Sequence, residues 1–212
     1  ILSLDKKTEL LQKYGEKLGS KYLLFVQDPY QTLIDLAKEW RLQFHYPVVA
    51  ITGSVGKTTT KEMVRNILKC AGKKHVVSHG NQNTLIGASL NILKMRPEHD
   101  FAVFEVGIGK KGAMKSIVEL LKPTFSVITQ VGYSHLEGLG TIHDVAYEKR
   151  DVFSQFTSKN IGIINGDQAD LLDVSYIHPV IKFGLKGVNQ IRATKIKLHD
   201  NTISSIFKIY DK

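Results

Sequence analysis

Three observations in this 212-residue sequence predict an α/β fold: a mostly parallel sheet flanked by helices, with an antiparallel hairpin at its C-terminal end. From Tyr46 onward short apolar runs alternate with helical stretches, the texture of a parallel sheet covered by helices on both faces. A glycine-rich turn lies between the first of those runs and the first of those helices. The tail "IRATKIKLHDNTISSIFKIYD" changes texture, alternating apolar and polar residues around His199-Asp200-Asn201 as a two-stranded hairpin does.

The elements follow in order. Residues 6–17 form a charged helix candidate whose apolar contribution is Leu10 and Leu11. "QDPYQTLIDLAKEW" makes a better helix: Asp28 can accept from the free amides at its start, Pro29 fits the first helical position, and Leu33, Ile34, Ala37 and Trp40 recur at helical spacing. Residues 1–45 thus read as a helical lead-in, with no function given to it, and 46–212 as the α/β domain. In that domain "PVVAIT", "HVVS", "FAVFEV", "FSVITQV", "IGIIN" and "PVIKFG" read as buried strands. Helices are expected near 57–71, 87–95, 112–121 and 143–156. Ligands of open parallel sheets sit beyond the carboxyl ends of the strands, so the residues after each strand are the first candidates for a site.

Composition narrows the classes. With 42% hydrophobic and 23% charged residues the chain is ordinary for a soluble globular protein, and no apolar run approaches the ~20 residues of a membrane span. A single cysteine, Cys70, excludes an internal disulfide and any multi-cysteine metal site, and it fits a reducing cytoplasm. The formal charge of +9 is spread through Lys61, Arg65, Lys69, Lys73, Lys74, Lys110, Lys111, Lys115, Lys195 and Lys197, without an unbroken basic block. That distribution favours solvated faces and phosphorylated small ligands over nucleic acid. The first residue is Ile1 rather than methionine, so the chain reads as a piece of something longer.

The turn after the first strand is Thr52-Gly53-Ser54-Val55-Gly56-Lys57-Thr58-Thr59-Thr60. Its glycines let backbone amides face an anion, the following helix adds a positive dipole, Lys57 supplies charge, and Thr58 offers a hydroxyl to Mg²⁺. The familiar G-x-x-x-x-G-K-[ST] spacing would require glycine at position 51, where the chain has Ile51, so this loop is a shorter variant. An apolar stripe of Met63, Val64, Ile67 and Leu68 follows on the helix. At the end of "FAVFEV" Glu105 is an acid in an apolar context, costly to bury unless it is paired or binds a metal. Two readings stay open for it: a Mg²⁺ ligand facing the loop, or the partner of a lysine such as Lys110. By pattern alone His135 in "GYSHLEG" is a structural histidine and Lys149 in "DVAYEKRDVF" an ordinary surface lysine.

Taken together, "TGSVGKTTTKEM", "GNQNTLIG", "HDFAVFEVG", "VGYSHLEGLGT" and "VAYEKRDVF" resemble the Mur ligases, ATP-dependent amide-bond-forming enzymes of peptidoglycan synthesis. Thr52 to Thr59 fits their short phosphate loop T-G-[ST]-x-G-K-[ST]-[ST]. The likeness runs from about Pro47 to Gly184 and more weakly into the tail. It is greatest to the branch that adds D-alanyl-D-alanine to a UDP-muramoyl tripeptide. The resemblance implies a P-loop NTPase-like central domain over 46–212, incomplete at its C-terminal end and without the family's C-terminal domain. It also implies ATP, two Mg²⁺ ions, two small-molecule substrates, a monomer, a bacterial cytoplasmic setting, and no nucleic-acid partner.

Roles follow residue by residue. Gly53, Ser54, Val55, Gly56, Lys57, Thr58 and Thr59 would form the phosphate loop, with Lys57 on the β- and γ-phosphates. Thr58 and Glu105 would bind Mg²⁺, and His135 would help hold a second ion. Lys149 falls where the family carries a lysine carbamylated by CO₂, a change that turns a cation into a carboxylate-like metal ligand. Asn81, Asn83 and Thr84 would face the UDP-linked substrate, and Asn165 and Asp167 the nucleotide. Val55, Thr84, Gln130 and Gln168 depart from the family's commoner residues; none of these departures removes a phosphate or metal ligand.

The implied chemistry transfers the γ-phosphoryl of ATP to a carboxylate, giving an acyl phosphate that an amine attacks; alignment and charge stabilisation do the work, and no side-chain nucleophile is needed. Three rivals stand beside it. They are a sibling ligase such as folylpolyglutamate synthase, a nucleotide-dependent switch or scaffold, and a basic nucleic-acid binder.

Overall fold

The computed structural model describes residues 1–18, 23–134, 136–199 and 202–209. Two short strands, β1 (Leu2–Ser3) and β2 (Phe25–Val26), pair in parallel on either side of α1 (Lys7–Leu18). Helix α2 (Pro29–Leu42) begins as its sequence requires: Asp28 accepts from the amides of Tyr30 and Gln31 at 2.9 and 3.0 Å, with Pro29 in the first turn. It buries Ala37 completely and, less expectedly, Arg41. The Arg41 guanidinium donates to the carbonyls of Leu121, Phe44 and Lys122, so it neutralises the carbonyl end of the distant helix that closes at Leu121.

The domain proper alternates strand and helix: β3 (Val48–Thr52), α3 (Lys57–Cys70), β4 (His75–Val77), α4 (Leu85–Ile92), β5 (Phe101–Glu105), α5 (Ala113–Leu121) and β6 (Phe125–Ile128). Next come α6 (Leu136–Leu139), α7 (Ile142–Arg150) with a 3-10 turn over Asp151–Phe153, β7 (Ile161–Asn165), α8 (Ala169–Leu172), β8 (Val180–Gly184), β9 (Ile191–His199) and β10 (Thr202–Ile209). Helix α4 starts two residues before its expected position because Thr84 caps it, accepting from the Gly87 amide at 3.3 Å.

One eight-stranded sheet runs in the order β10-β9-β8-β7-β6-β3-β5-β4, and every neighbouring pair is parallel except β10 with β9. The central strand β3 has strands on both sides, which explains its unbroken apolar run. Alternate residues serve the two faces. Val48, Ala50, Ala102 and Phe104 join Ala37, Ile92, Met114, Ile117 and Val145 in the larger core under α2, α4, α5 and α7. Ile51, Val103 and Val127 pack with Val64 and Leu68 of α3 on the opposite face.

That packing divides the stripe expected on α3. Val64 and Leu68 face the sheet, whereas Met63 and Ile67 stay 60% and 67% exposed. Adjacent helical positions point about 100° apart, so only one pair of the four can reach the strands. The tail forms the expected hairpin, with Thr202 opposite His199, and it is also part of the sheet: Ile191 and Arg192 pair with Phe183 and Gly184 of β8. Only the start of β9 meets the end of β8, so the short link 185–190 suffices where a full parallel pairing would require a long crossover. No helix among the described residues is long and apolar enough to cross a membrane.

Candidate nucleotide and metal site

Parallel register brings the carboxyl ends of β3, β5, β6 and β7 to one edge: Ile51 lies beside Glu105, Thr52 beside Ile128, and Ile128 beside Ile164. The loop after β3 is fixed by backbone geometry. Gly53 has φ 152° and Gly56 φ 85°, and a side chain at Gly53 would overlap Thr129 Oγ1 and sit 3.1 Å from the Gln130 amide nitrogen. Gly56 gives α3 no side-chain cap, so the amides at that helix start are left to a ligand. Neighbouring loops hold the turn in place. The Ser54 amide donates to Gln130 O at 2.6 Å, Ser54 Oγ donates to Gly132 O at 3.0 Å, and it accepts from the Gly132 amide at 2.9 Å. Thr129 Oγ1 donates to Val55 O at 2.6 Å. That bond engages the carbonyl of Val55, whose side chain is 60% exposed.

Lys57 folds over this loop, donating to Gly53 O at 2.8 Å and Ser54 O at 3.3 Å. Thr58 and Thr59, in the first turn of α3, are exposed. Thr58 Oγ1 donates to Glu105 Oε2 at 2.8 Å, and Asn83 Nδ2 donates to Glu105 Oε1 at 3.1 Å. Glu105 itself is 4% exposed. The nearest cation to it is Lys61, 3.9 Å from Oε2, rather than Lys110. The hard oxygens of Thr58 and Glu105 suit Mg²⁺, which takes one or two protein ligands and completes its shell with water and phosphate oxygens. Among the described residues no cluster of three His, Cys, Asp or Glu could hold a metal by itself.

Lys149 is not on the surface, as pattern alone had it; it is 1% exposed in the last turn of α7. The reason is its helix, whose Val145, Ala146 and Glu148 are also buried against α5. Burial, reinforced by the neighbouring Lys57 charge and opposed by Glu148, lowers the Lys149 pKa to about 8. Glu148 receives the amides of Gly112 and Met114 at 2.9 and 3.0 Å, so a carboxylate from α7 caps the start of α5. Lys57 and Lys149 line one cleft of about 540 Å³ together with Gly53, Asn83, Thr84 and Gly107. Tyr30, Leu85, Ile108 and Ile117 give it an apolar wall. His135 lies outside the described residues.

The other expected residues are placed differently. Asn81 is exposed and offers its carbonyl to the Asn83 amide at 2.7 Å. Asn165 Oδ1 accepts from the Asp167 amide at 3.0 Å. Burial pushes the Asp167 carboxyl up, but the amides of Lys186 and Leu185 and the Asn189 side chain outweigh it and hold it below the ordinary range. Asp167 therefore organises the loop after β8. Gln168 grips both the amide and the carbonyl of Val131 at 2.8 and 2.7 Å. Lys61, Ser78, Thr129 and Glu148 all shape the site and escaped the sequence reading. Only Lys61, one helical turn after Thr58, had a spacing that could have pointed to it.

A family model described as the Mur ligase middle domain matches residues 51–212. A UDP-N-acetylmuramoyl-tripeptide–D-alanyl-D-alanine ligase from Synechocystis is 33% identical over 81% of this chain and 38% of its own length. The Escherichia coli protein of the same name is 37% identical over 71% of this chain and 33% of its own. Among solved structures, MurF ligase from Thermotoga maritima in complex with ADP superposes with a TM-score of 0.80 at 28% identity, covering 91% of this chain and 45% of that one. The chain thus spans less than half the length of each of these relatives.

Proposed function

This chain belongs to the Mur ligase family, and from that premise we propose that it is the nucleotide-binding part of an ATP-dependent ligase of bacterial peptidoglycan precursor synthesis. The reaction is addition of D-alanyl-D-alanine to UDP-N-acetylmuramoyl-tripeptide through an acyl phosphate, carried out in the cytoplasm by a monomer. The observation that carries this reading is the contact of Thr58 with Glu105 directly under an uncapped helix start.

In this reading the amides of the 53–58 turn and Lys57 hold the ATP phosphates, while Thr58 and Glu105 hold Mg²⁺, which neutralises charge on the phosphate oxygens when bound. His135 and Lys149 serve a second ion. For Lys149 the neutral amine attacks CO₂: an N–C bond forms, the amine proton leaves to solvent, and a carboxylate-like ligand results. A buried amine with a lowered pKa supports that role, because only the neutral form is a nucleophile. Asn83 and Thr84 meet the muramoyl substrate from the cleft wall and Asn81 from its rim, with Asn165 and Asp167 on the nucleotide side.

The full-length protein, given ATP, Mg²⁺, UDP-N-acetylmuramoyl-tripeptide and D-alanyl-D-alanine, is expected to release ADP and phosphate with the ligated pentapeptide. Labelled oxygen should pass from the tripeptide carboxylate into phosphate. ATP turnover indifferent to D-alanyl-D-alanine, or glutamate addition to a folate, would assign the chain to a different branch.

A further inference from the structure

Helix α3 turns Val64 and Leu68 to the sheet, and one turn earlier it turns a lysine inward. Lys61 is 1% exposed, and its ammonium donates to the carbonyls of Ser78 and Gly80 at 3.2 and 3.1 Å. Its charge lies 3.4 Å from Glu62 and 3.9 Å from Glu105. Burying an ammonium costs several kcal/mol before pairing, and leucine or methionine would fill the same space without that cost. Both carbonyls it donates to belong to one segment. Residues 78–83 are attached to Glu105 at both ends, by the Glu105 amide to Ser78 Oγ at 2.9 Å and by Asn83 Nδ2 to Glu105 Oε1, while Lys61 holds the middle.

We infer that Lys61 is a positioning residue: it clamps the 78–83 loop, through the Ser78 and Gly80 carbonyls, to the helix that carries the phosphate loop and Thr58. The loop facing the acyl substrate and the helix facing the nucleotide then move as one body, and occupancy at one is felt at the other. At 3.9 Å from Glu105 Oε2, the oxygen that accepts from Thr58, Lys61 balances the carboxylate charge from beyond hydrogen-bond distance.

Amide hydrogen exchange over residues 79–83 tests this, read in the chain alone and with ADP and Mg²⁺, for the native protein and for Lys61→Met, Lys61→Gln and Lys61→Arg. The nucleotide arm rests on the function proposed above. Loss of the clamp in the neutral variants should speed exchange there about tenfold, with β7 and α5 unchanged, and abolish the response to ADP and Mg²⁺. Arginine, which keeps charge and donors, should restore most of the protection. Native protection and response in either neutral variant overturns the inference. So does a chain that folds with arginine but with neither neutral residue, because Lys61 would then be a determinant of folding. If the native chain binds no ADP, the nucleotide reading fails, and the unliganded exchange rates still decide the role of Lys61.

Discussion

Thr58 Oγ1 donates to Glu105 Oε2 at 2.8 Å, joining the first turn of α3 to the last residue of β5 across two neighbouring strands. Thr58 belongs to the same first helical turn that Gly56 leaves without a side-chain cap. If the two oxygens share a cation with a bound nucleotide, Thr58→Val and Glu105→Gln should each reduce Mg²⁺-dependent ADP binding by about tenfold, the loss of one good ligand. Affinity measured in EDTA should change little, and Thr58→Ser should behave as native. A fluorescent ADP analogue titrated with and without Mg²⁺ gives the answer.

Gly53 has no room for a methyl group. Gly53→Ala is expected to destabilise the domain by about 3 kcal/mol, combining overlap with Thr129 Oγ1 and an unfavourable backbone. Adding Thr129→Ala should recover part of this, since the Gln130 backbone and the φ of 152° remain. Urea denaturation of the two single variants and the double variant measures that recovery.

Glu148 should matter to stability more than its place beside Lys149 would suggest. Glu148→Ala leaves the amides of Gly112 and Met114 without acceptors, one of them buried, at a cost of about 2–4 kcal/mol. Exchange at the start of α5 should accelerate first.

Lys149 makes stability depend on alkaline pH. Its pKa is about 8 in the folded chain and near 10.5 when unfolded, so between these values the unfolded chain binds more protons and stability rises with pH. Below about 8 the penalty of the buried charge is fully present. In CO₂-free buffer the native chain should gain roughly 3 kcal/mol relative to Lys149→Met as pH rises through this window. Added bicarbonate should label Lys149 as a carbamate above pH 8 and leave the variant unlabelled, observable by carbon NMR.

Much of this was legible along the chain. The alternation of apolar runs and helices gives the sheet because a central parallel strand, covered on both faces, carries a near-continuous apolar run, as "VVAIT" does in β3. The cap at Asp28 and the phosphate turn were legible for the same reason: each acts within a few residues of itself. Lys149 was not, since its burial depends on α5 packing over α7, and a lysine in a four-turn window looks the same wherever its helix docks. The same limit hid Arg41, whose partners Leu121 and Lys122 lie 80 and 81 residues away.

By itself, then, the sequence determined the succession of the main sheet's strands and its longer helices, the short phosphate loop and the family, because backbone propensity and spacing are local; the strands β1 and β2 and the four-residue helices α6 and α8 were too short to show a period. Tertiary structure alone decided that Glu105 answers to Thr58, Asn83 and Lys61, that Glu148 caps a different helix, and that Asp167 and Gln168 hold loops in place. Those choices depend on strand register, which sets distant residues side by side and then settles, through burial and the pairing of charge, which of them interact.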